Sequence, residues 1–203
     1  AVVYASNERG NSITVISTRT NAGVDTIPVG RRPRGLRLSP DGRRVYVALG
    51  EDDAVGVIDV ARREMVDTIP AGIDPEQVVV SPDGRTLYVS NEKTNMATAV
   101  AVDGARVIFS VPVGVEPAGI AVSPDGRKLY VTAETDHNVT VIDVQAGKEI
   151  GRFPVGARPR WVAFTSDGAR AYVSAEIGGV VSVIDVARDR VIATIAVGDT
   201  KPV

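Results

Sequence analysis

Four positions stand in the same local setting. Arg34, Glu76, Ala118 and Arg160 each follow a proline, and each lies 42 residues beyond the one before. Arg31, Arg32, Asp74, Glu116, Arg158 and Trp161 flank them. A guanidinium is a planar fork that grips a carboxylate or phosphate through parallel N–H bonds. Arg34 and Arg160 together would therefore hold an anion, with Arg31 and Arg158 beside them. The plainer expectation is a set of solvated loop charges paired with Glu76 and Glu116, and such pairs contribute little. Trp161 would either stack on a ligand ring or pack between structural units. His137, in Glu134-Thr135-Asp136-His137-Asn138, is a base or metal ligand only if a nearby carboxylate serves it. A lone loop histidine is the simpler expectation. Arg31, Arg34, Glu76, Arg158, Arg160, Trp161 and His137 are the candidate ligand-binding residues; no catalytic residue, metal ligand or cofactor is assigned.

Other chemistry is narrow. The chain has no cysteine and one histidine, which excludes disulfides, thiolate metal sites, iron–sulfur clusters and multi-histidine metal centres within it. The run Glu51-Asp52-Asp53 offers few ligands for a hard cation and reads as a solvated loop. Asp59, Asp103, Asp143 and Asp185 recur, which fits turn capping better than chemistry. Asn138-Val139-Thr140 matches a glycosylation acceptor, relevant only in a eukaryotic secretory setting. No phosphate-binding glycine loop, nucleophile elbow or His-Glu-x-x-His motif occurs. A net charge of −2 gives no electrostatic case for nucleic acid, and no apolar run reaches the ~18 residues of a membrane span. The chain starts with the strand-like Ala1-Val2-Val3-Tyr4, and no signal peptide is expected in it.

The elements that position these residues follow from a repeat. The five tyrosines, at 4, 46, 88, 130 and 172, step by 42. Glycines 30, 72, 114, 156 and 198 keep the same step. Ser39-Pro40-Asp41-Gly42 returns at 81–84 and 123–126 and weakens to Thr165-Ser166-Asp167-Gly168. Each unit reads as four short Val- and Ile-rich strands bounded by turn residues, with no sustained helical period. A repeat near 42 residues with four strands per unit is a β-propeller, because a lone four-stranded sheet cannot bury both faces but neighbouring sheets can. Residues 1–28 supply three strands and four full units follow, so the chain is expected to be one all-β domain over 1–203. That gives about five antiparallel blades and 19 strands, the ring not closed by a full strand set. The third unit is out of step at Asp103, 44 residues after Asp59, and a longer loop over 91–96 is expected to cause it. No first strand precedes Val2–Ser6, which leaves an inner edge open for self-association.

Tyr-Val-x-Asn, Val-Ile-Asp and Ser-Pro-Asp-Gly repeats resemble the YVTN-repeat β-propellers. Arg32-Pro33-Arg34-Gly35, Arg158-Pro159-Arg160 with Phe164-Thr165, and the run from Ser174 to Val186 are similar to the β-propeller proteins associated with PQQ-dependent catabolism in bacteria. The resemblance covers the whole chain. It implies a seven-bladed, exported accessory protein that accompanies quinoprotein alcohol oxidation. With under five blades, this chain is expected to be either a short propeller or a piece of a longer one. Quinoproteins dock their sheets with recurring tryptophans, and a single Trp161 gives no case for direct PQQ binding.

Three functional expectations result. The first is a non-enzymatic, periplasmic or extracellular binding or scaffold protein, taking a protein partner or a small anionic ligand at its top-face loops. The second is a propeller hydrolase of the lactonase kind, which needs Glu, Arg and His to converge at the channel. The third is a structural cell-surface repeat module.

Overall fold

β-Branched residues dominate the strands because they fit a pleated surface that is buried on both faces. The computed structural model describes residues 1–198 and is all-β, with 19 strands in five sheets. Blade 1 holds β1 (Val2–Asn7), β2 (Ser12–Ser17) and β3 (Ala22–Pro28). Blade 2 holds β4 (Pro33–Leu38), β5 (Arg44–Leu49), β6 (Ala54–Asp59) and β7 (Glu64–Pro70). Blade 3 holds β8 (Pro75–Val80), β9 (Thr86–Asn91), β10 (Met96–Ala101) and β11 (Val107–Pro112). Blade 4 holds β12 (Pro117–Val122), β13 (Lys128–Ala133), β14 (Asn138–Asp143) and β15 (Lys148–Pro154). Blade 5 holds β16 (Pro159–Phe164), β17 (Arg170–Ala175), β18 (Val180–Asp185) and β19 (Arg190–Ala196). Every pairing is antiparallel and sequential, and blade 1 has three strands because none precedes β1 among the described residues.

Four apolar clusters form the core, one at each junction of consecutive blades. Tyr46, Val55, Val57 and Ile69 of blade 2 meet Val78, Leu87, Val89 and Val100 of blade 3. The other three junctions repeat that arrangement at the 42-residue step. Among the described residues, the main packing runs in chain order and none of it joins blade 5 to blade 1. These five sheets do not make a ring closed by a full strand set among the described residues.

The Ser-Pro-Asp-Gly segments are turns. The Gly42 N–H donates to the Ser39 carbonyl at 2.9 Å, and Asp41 accepts from the Ser39 hydroxyl at 2.6 Å and the Arg43 N–H at 3.1 Å. Gly42, Gly84, Gly126 and Gly168 all have positive φ, between 69° and 75°. The recurring aspartates cap turns at Asp59, Asp143 and Asp185 by accepting backbone N–H bonds. Asp103 does not share that place; it opens a 3-10 turn over Asp103–Ala105 with Gly104 at φ 75°. This corrects the expectation of a longer loop over 91–96. That loop keeps the four-residue length of its counterpart in blade 2, and the irregularity lies in the β10–β11 turn.

Candidate functional site

Each inner strand opens on a proline that has no N–H to give the ladder, a role suited to a strand's first residue. Directly after it the register between the first two strands of the blade slips, at Pro33/Leu36, Pro75/Gln77, Pro117/Ile120 and Pro159/Trp161. Such a bulge re-aims the side chains beside it, and here those are Arg34, Glu76, Ala118 and Arg160. The residues before the prolines, Arg32, Asp74, Glu116 and Arg158, all sit at φ between 52° and 56°, in the left-handed region.

A repeated clamp holds that strained turn. Residues 11, 53, 95 and 137, in the loop between the second and third strands of a blade, are also left-handed. Their side chains accept the N–H of the residue before the next proline: Asn11 from Arg32 and Asn95 from Glu116 at 3.1 Å, Asp53 from Asp74 at 3.0 Å. His137 fills this place in blade 4, its Nδ1 3.1 Å from the Arg158 N–H. The same Nδ1 lies 2.8 Å from the Glu134 carbonyl. The carbonyls of Arg32, Asp74, Glu116 and Arg158 in turn accept N–H bonds from Gly50, Glu92, Glu134 and Glu176. Two sets of loops are thus knitted into one rigid face.

On that face the charges form an acid–base network in two clusters, one around Arg34 and Glu76 and one around Glu134. Glu76, only 6% exposed, lies in ion contact with Arg34 Nη1, at angles that do not make a hydrogen bond. Arg34 Nη1 donates to Glu92 at 2.8 Å, and its Nε lies 3.9 Å from Glu8. Arg32 bridges Glu8 at 3.1 Å and the buried Asp74 at 3.0 Å. In blades 4 and 5, Glu134 accepts from Arg158 Nε at 2.8 Å and also from Arg160, while Arg158 reaches Glu176 at 3.3 Å. Burial pushes the Glu76 carboxyl up from 4.5 to about 7, Arg34 opposes that rise, and Glu92 adds to it through its charge and a side-chain hydrogen bond. The Arg160 charge lowers it slightly. Arg34 and Glu76 share one ion cluster, whereas Arg160 is held by Glu134.

The other expected residues divide. Arg158 belongs to the network. His137 lies beside it, in a pocket of about 380 Å³ lined by Glu116, Glu134, Thr135, Arg158 and Ile177. Arg31 shares no partner with the network: its guanidinium clamps Asp52 at 2.7 Å and the Glu51 carbonyl at 2.6 Å, and it is 62% exposed. That accounts for the acidic run as loop structure, since Asp53 serves the clamp on Asp74. Glu116 does not pair with the arginines; it accepts from the Thr135 hydroxyl at 2.5 Å. Trp161 is 44% exposed and lines a cavity of about 370 Å³ along the inner strands with Arg37, Val79 and Val122. Its counterparts Gly35 and Gly119 meet the inner strand of the next blade, at Gln77 and Trp161, and no such neighbour covers Trp161 among the described residues. Sequence reasoning passed over Glu8, Glu92 and Glu176, and weighed Glu134 only as a partner for His137, although all four stand at the 42-residue step. Gly50 interrupts that series: a Cβ there would sit 2.9 Å from Asp74 Oδ1 and 3.3 Å from Arg32 Cδ.

With fold and site described, the chain can be set beside known proteins. A family model described as Lactonase, 7-bladed beta-propeller, matches residues 59–149, less than half of the chain. Hydrazine synthase of Kuenenia stuttgartiensis is similar in structure, with a TM-score of 0.86 and 26% identity over 98% of this chain and 64% of that one. A functionally unknown protein from Desulfotomaculum acetoxidans DSM 771 gives a TM-score of 0.82 at 15% identity, over 96% of this chain and 66% of that one. This chain thus spans just under two thirds of either solved chain. No curated protein matches the sequence. The class is a β-propeller. Among the described residues no helix is long and apolar enough to cross a membrane.

Proposed function

We propose that this protein is a non-enzymatic binding propeller, exported to the periplasm or cell exterior, whose channel mouth takes a carboxylate from a protein partner or small anionic ligand. The observation that carries the reading is that Arg34 lies against one buried carboxyl, Glu76, and is held on its other side by the more exposed Glu92. Glu92 is the more exposed partner, a loop residue one third exposed that bonds to Arg34 through a single nitrogen. An incoming carboxylate would displace it and take the guanidinium as a fork. Ionised Glu76 opposes a second negative charge, so binding strengthens when it is protonated. An accessory role beside quinoprotein alcohol oxidation rests on the sequence resemblance alone. The open edge of β1 remains a proposed site of self-association. The test is a thermal-shift screen of dicarboxylates at pH 6 and pH 8. Stabilisation at pH 6 that is lost in Arg34→Gln supports the reading, by mass action on the folded state. No stabilisation by any carboxylate overturns it.

A second reading, a hydrolase of the lactonase kind, has two observations in its favour: the partial family match and the meeting of Glu134, Arg158 and His137 at one pocket. It requires a basic Nε2. When Nδ1 accepts from Arg158, Nε2 of the neutral ring carries the proton; when Nδ1 donates to the Glu134 carbonyl, Nε2 is free as a base. His137→Asn decides, because Asn fills the same clamp in blades 1 and 3. Lactone hydrolysis present in the wild type and absent in that variant would establish the second reading.

A further inference from the structure

We infer that the cavity between blades 2 and 3, on the face opposite the channel mouth, binds a small carboxylate on Arg44 and Tyr46. The argument starts from a contact that the chain makes with itself elsewhere. One turn residue per blade, at 21, 63, 105, 147 and 189, is left-handed, with φ between 48° and 60°. In blade 5 it is Asp189, and its carboxylate reaches back into blade 4. There it accepts from the Tyr130 hydroxyl and from Lys128 Nζ, at 2.9 and 2.7 Å for its two oxygens. A cation and a phenol thus hold one carboxylate between two blades. Two repeats earlier, Arg44 stands in the place of Lys128 and Tyr46 in that of Tyr130, so both donors are kept. Asp189 is replaced by Ala105, which has no acceptor to offer. The remaining junctions are built differently. Arg63 acts on Tyr4 between blades 1 and 2, and Gly147 abuts Phe109 between blades 3 and 4, where the cation gives way to Thr86.

The blade 2–3 junction therefore has the donors of the Asp189 contact without its carboxylate. It holds a cavity of about 310 Å³ lined by Arg43, Arg44, Tyr46, Arg85 and Asp103, a size that suits a small organic ion. Asp41 and Asp83 also line it, but each is committed to its own turn, accepting from a serine hydroxyl at 2.6 Å and a backbone N–H at 3.1 Å. Asp103 is the one uncommitted carboxylate beside three guanidiniums, and among the described residues it forms no direct ion pair with them. Tyr46 is 2% exposed, and burial raises its phenol, which keeps the proton that a bound carboxylate would accept. Arginine in the place of lysine improves the match, because its planar fork meets both oxygens of a carboxylate. Blades 2 and 3 are each packed between two neighbours, so the cavity owes nothing to either end of the sequence. It shares no residue with the mouth.

The test is titration of ¹⁵N-labelled protein with sodium acetate, and separately with inorganic phosphate, followed by backbone amide shifts. Arg44→Gln removes the fork, and Ala105→Asp supplies an internal carboxylate at φ 49°, against 48° for Asp189. Both positions are exposed, so neither change disturbs the core. The wild type is expected to show saturable acetate shifts at Gly84 and Gly104, beside the cavity, and both variants to lose them. Ala105→Asp is also expected to melt at a higher temperature than the wild type. A wild type without saturable shifts there overturns the inference, as do shifts that persist in Arg44→Gln or Ala105→Asp. Shifts with phosphate but not acetate overturn the carboxylate assignment. Binding seen only in Asp103→Asn would make Asp103 the resident anion and overturn it too. Acetate shifts confined to Gly50, at the mouth, would do the same while leaving the proposed function standing.

Discussion

Replacing Glu76 with Gln should change how stability depends on pH. The Glu76 carboxyl rises from 4.5 to about 7 in the folded protein, chiefly through burial. The folded state therefore binds a proton that the unfolded state releases between those two values, so stability falls as pH climbs through the window. Below about 4.5 both states are protonated and nothing is lost; above about 7 the full cost is present. At about 1.4 kcal/mol per pH unit, a window of this width is worth at most about 3.5 kcal/mol. Gln has the same shape and no charge to desolvate, and Arg34 retains Glu92 as a partner. Urea denaturation of wild type and Glu76→Gln from pH 5 to pH 8 should show the variant gaining on the wild type by up to that amount as pH rises. Parallel pH profiles would refute the claim that Glu76 is buried at a cost, and with it the electrostatic account of the channel mouth.

Gly84→Val should cost about 1–3 kcal/mol in a denaturation midpoint, because φ at Gly84 is 75° and a β-branched residue is strained there; the space itself is open, the nearest atom being 3.6 Å from a Cβ. Asn91→Ala should cost about 1–3 kcal/mol, since the buried Asn91 amide donates to the Ala71 carbonyl, which would be left unpaired, and accepts from Thr98, which keeps Ser110. His137→Asn should leave the melting temperature nearly unchanged, whereas His137→Ala should lower it by about 1 kcal/mol equivalent, through the lost N–H acceptor.

Much of the fold was legible because one strong period runs through it. Tyrosines, glycines and the Ser-Pro-Asp-Gly turns each mark the same point of a blade, so strand number, pairing and the three-stranded first blade all follow from spacing. Side-chain aim was not legible. Residue type left Trp161 open between a ligand ring and a blade junction; it stands 44% exposed on blade 5, along a cavity beside the inner strands. Arg31 and Arg34 are three residues apart, yet one clamps an outer loop and the other joins the mouth. The glutamates that complete the network were in plain view at positions 8, 92, 134 and 176. They lay hidden because they come from a different set of loops, and Gly50 breaks their series where Arg32 and Asp74 cross. His137 attracts attention as the sole histidine, while its place in the repeat is that of Asn11, Asp53 and Asn95, which are structural.

The central claim is that the mouth exchanges an internal carboxylate for an external one on Arg34, under the control of Glu76. Calorimetric titration of the protein with succinate, repeated at pH 6, 7 and 8, tests it most directly. A dicarboxylate brings one more negative charge than the Glu92 side chain it replaces, so protonated Glu76 should favour it. The account predicts binding that weakens as pH rises past about 7, with proton uptake on binding near that pH, and loss of binding in Arg34→Gln. Glu76→Gln should bind with little dependence on pH. Binding that is indifferent to pH in the wild type, or unchanged in Arg34→Gln, would contradict it.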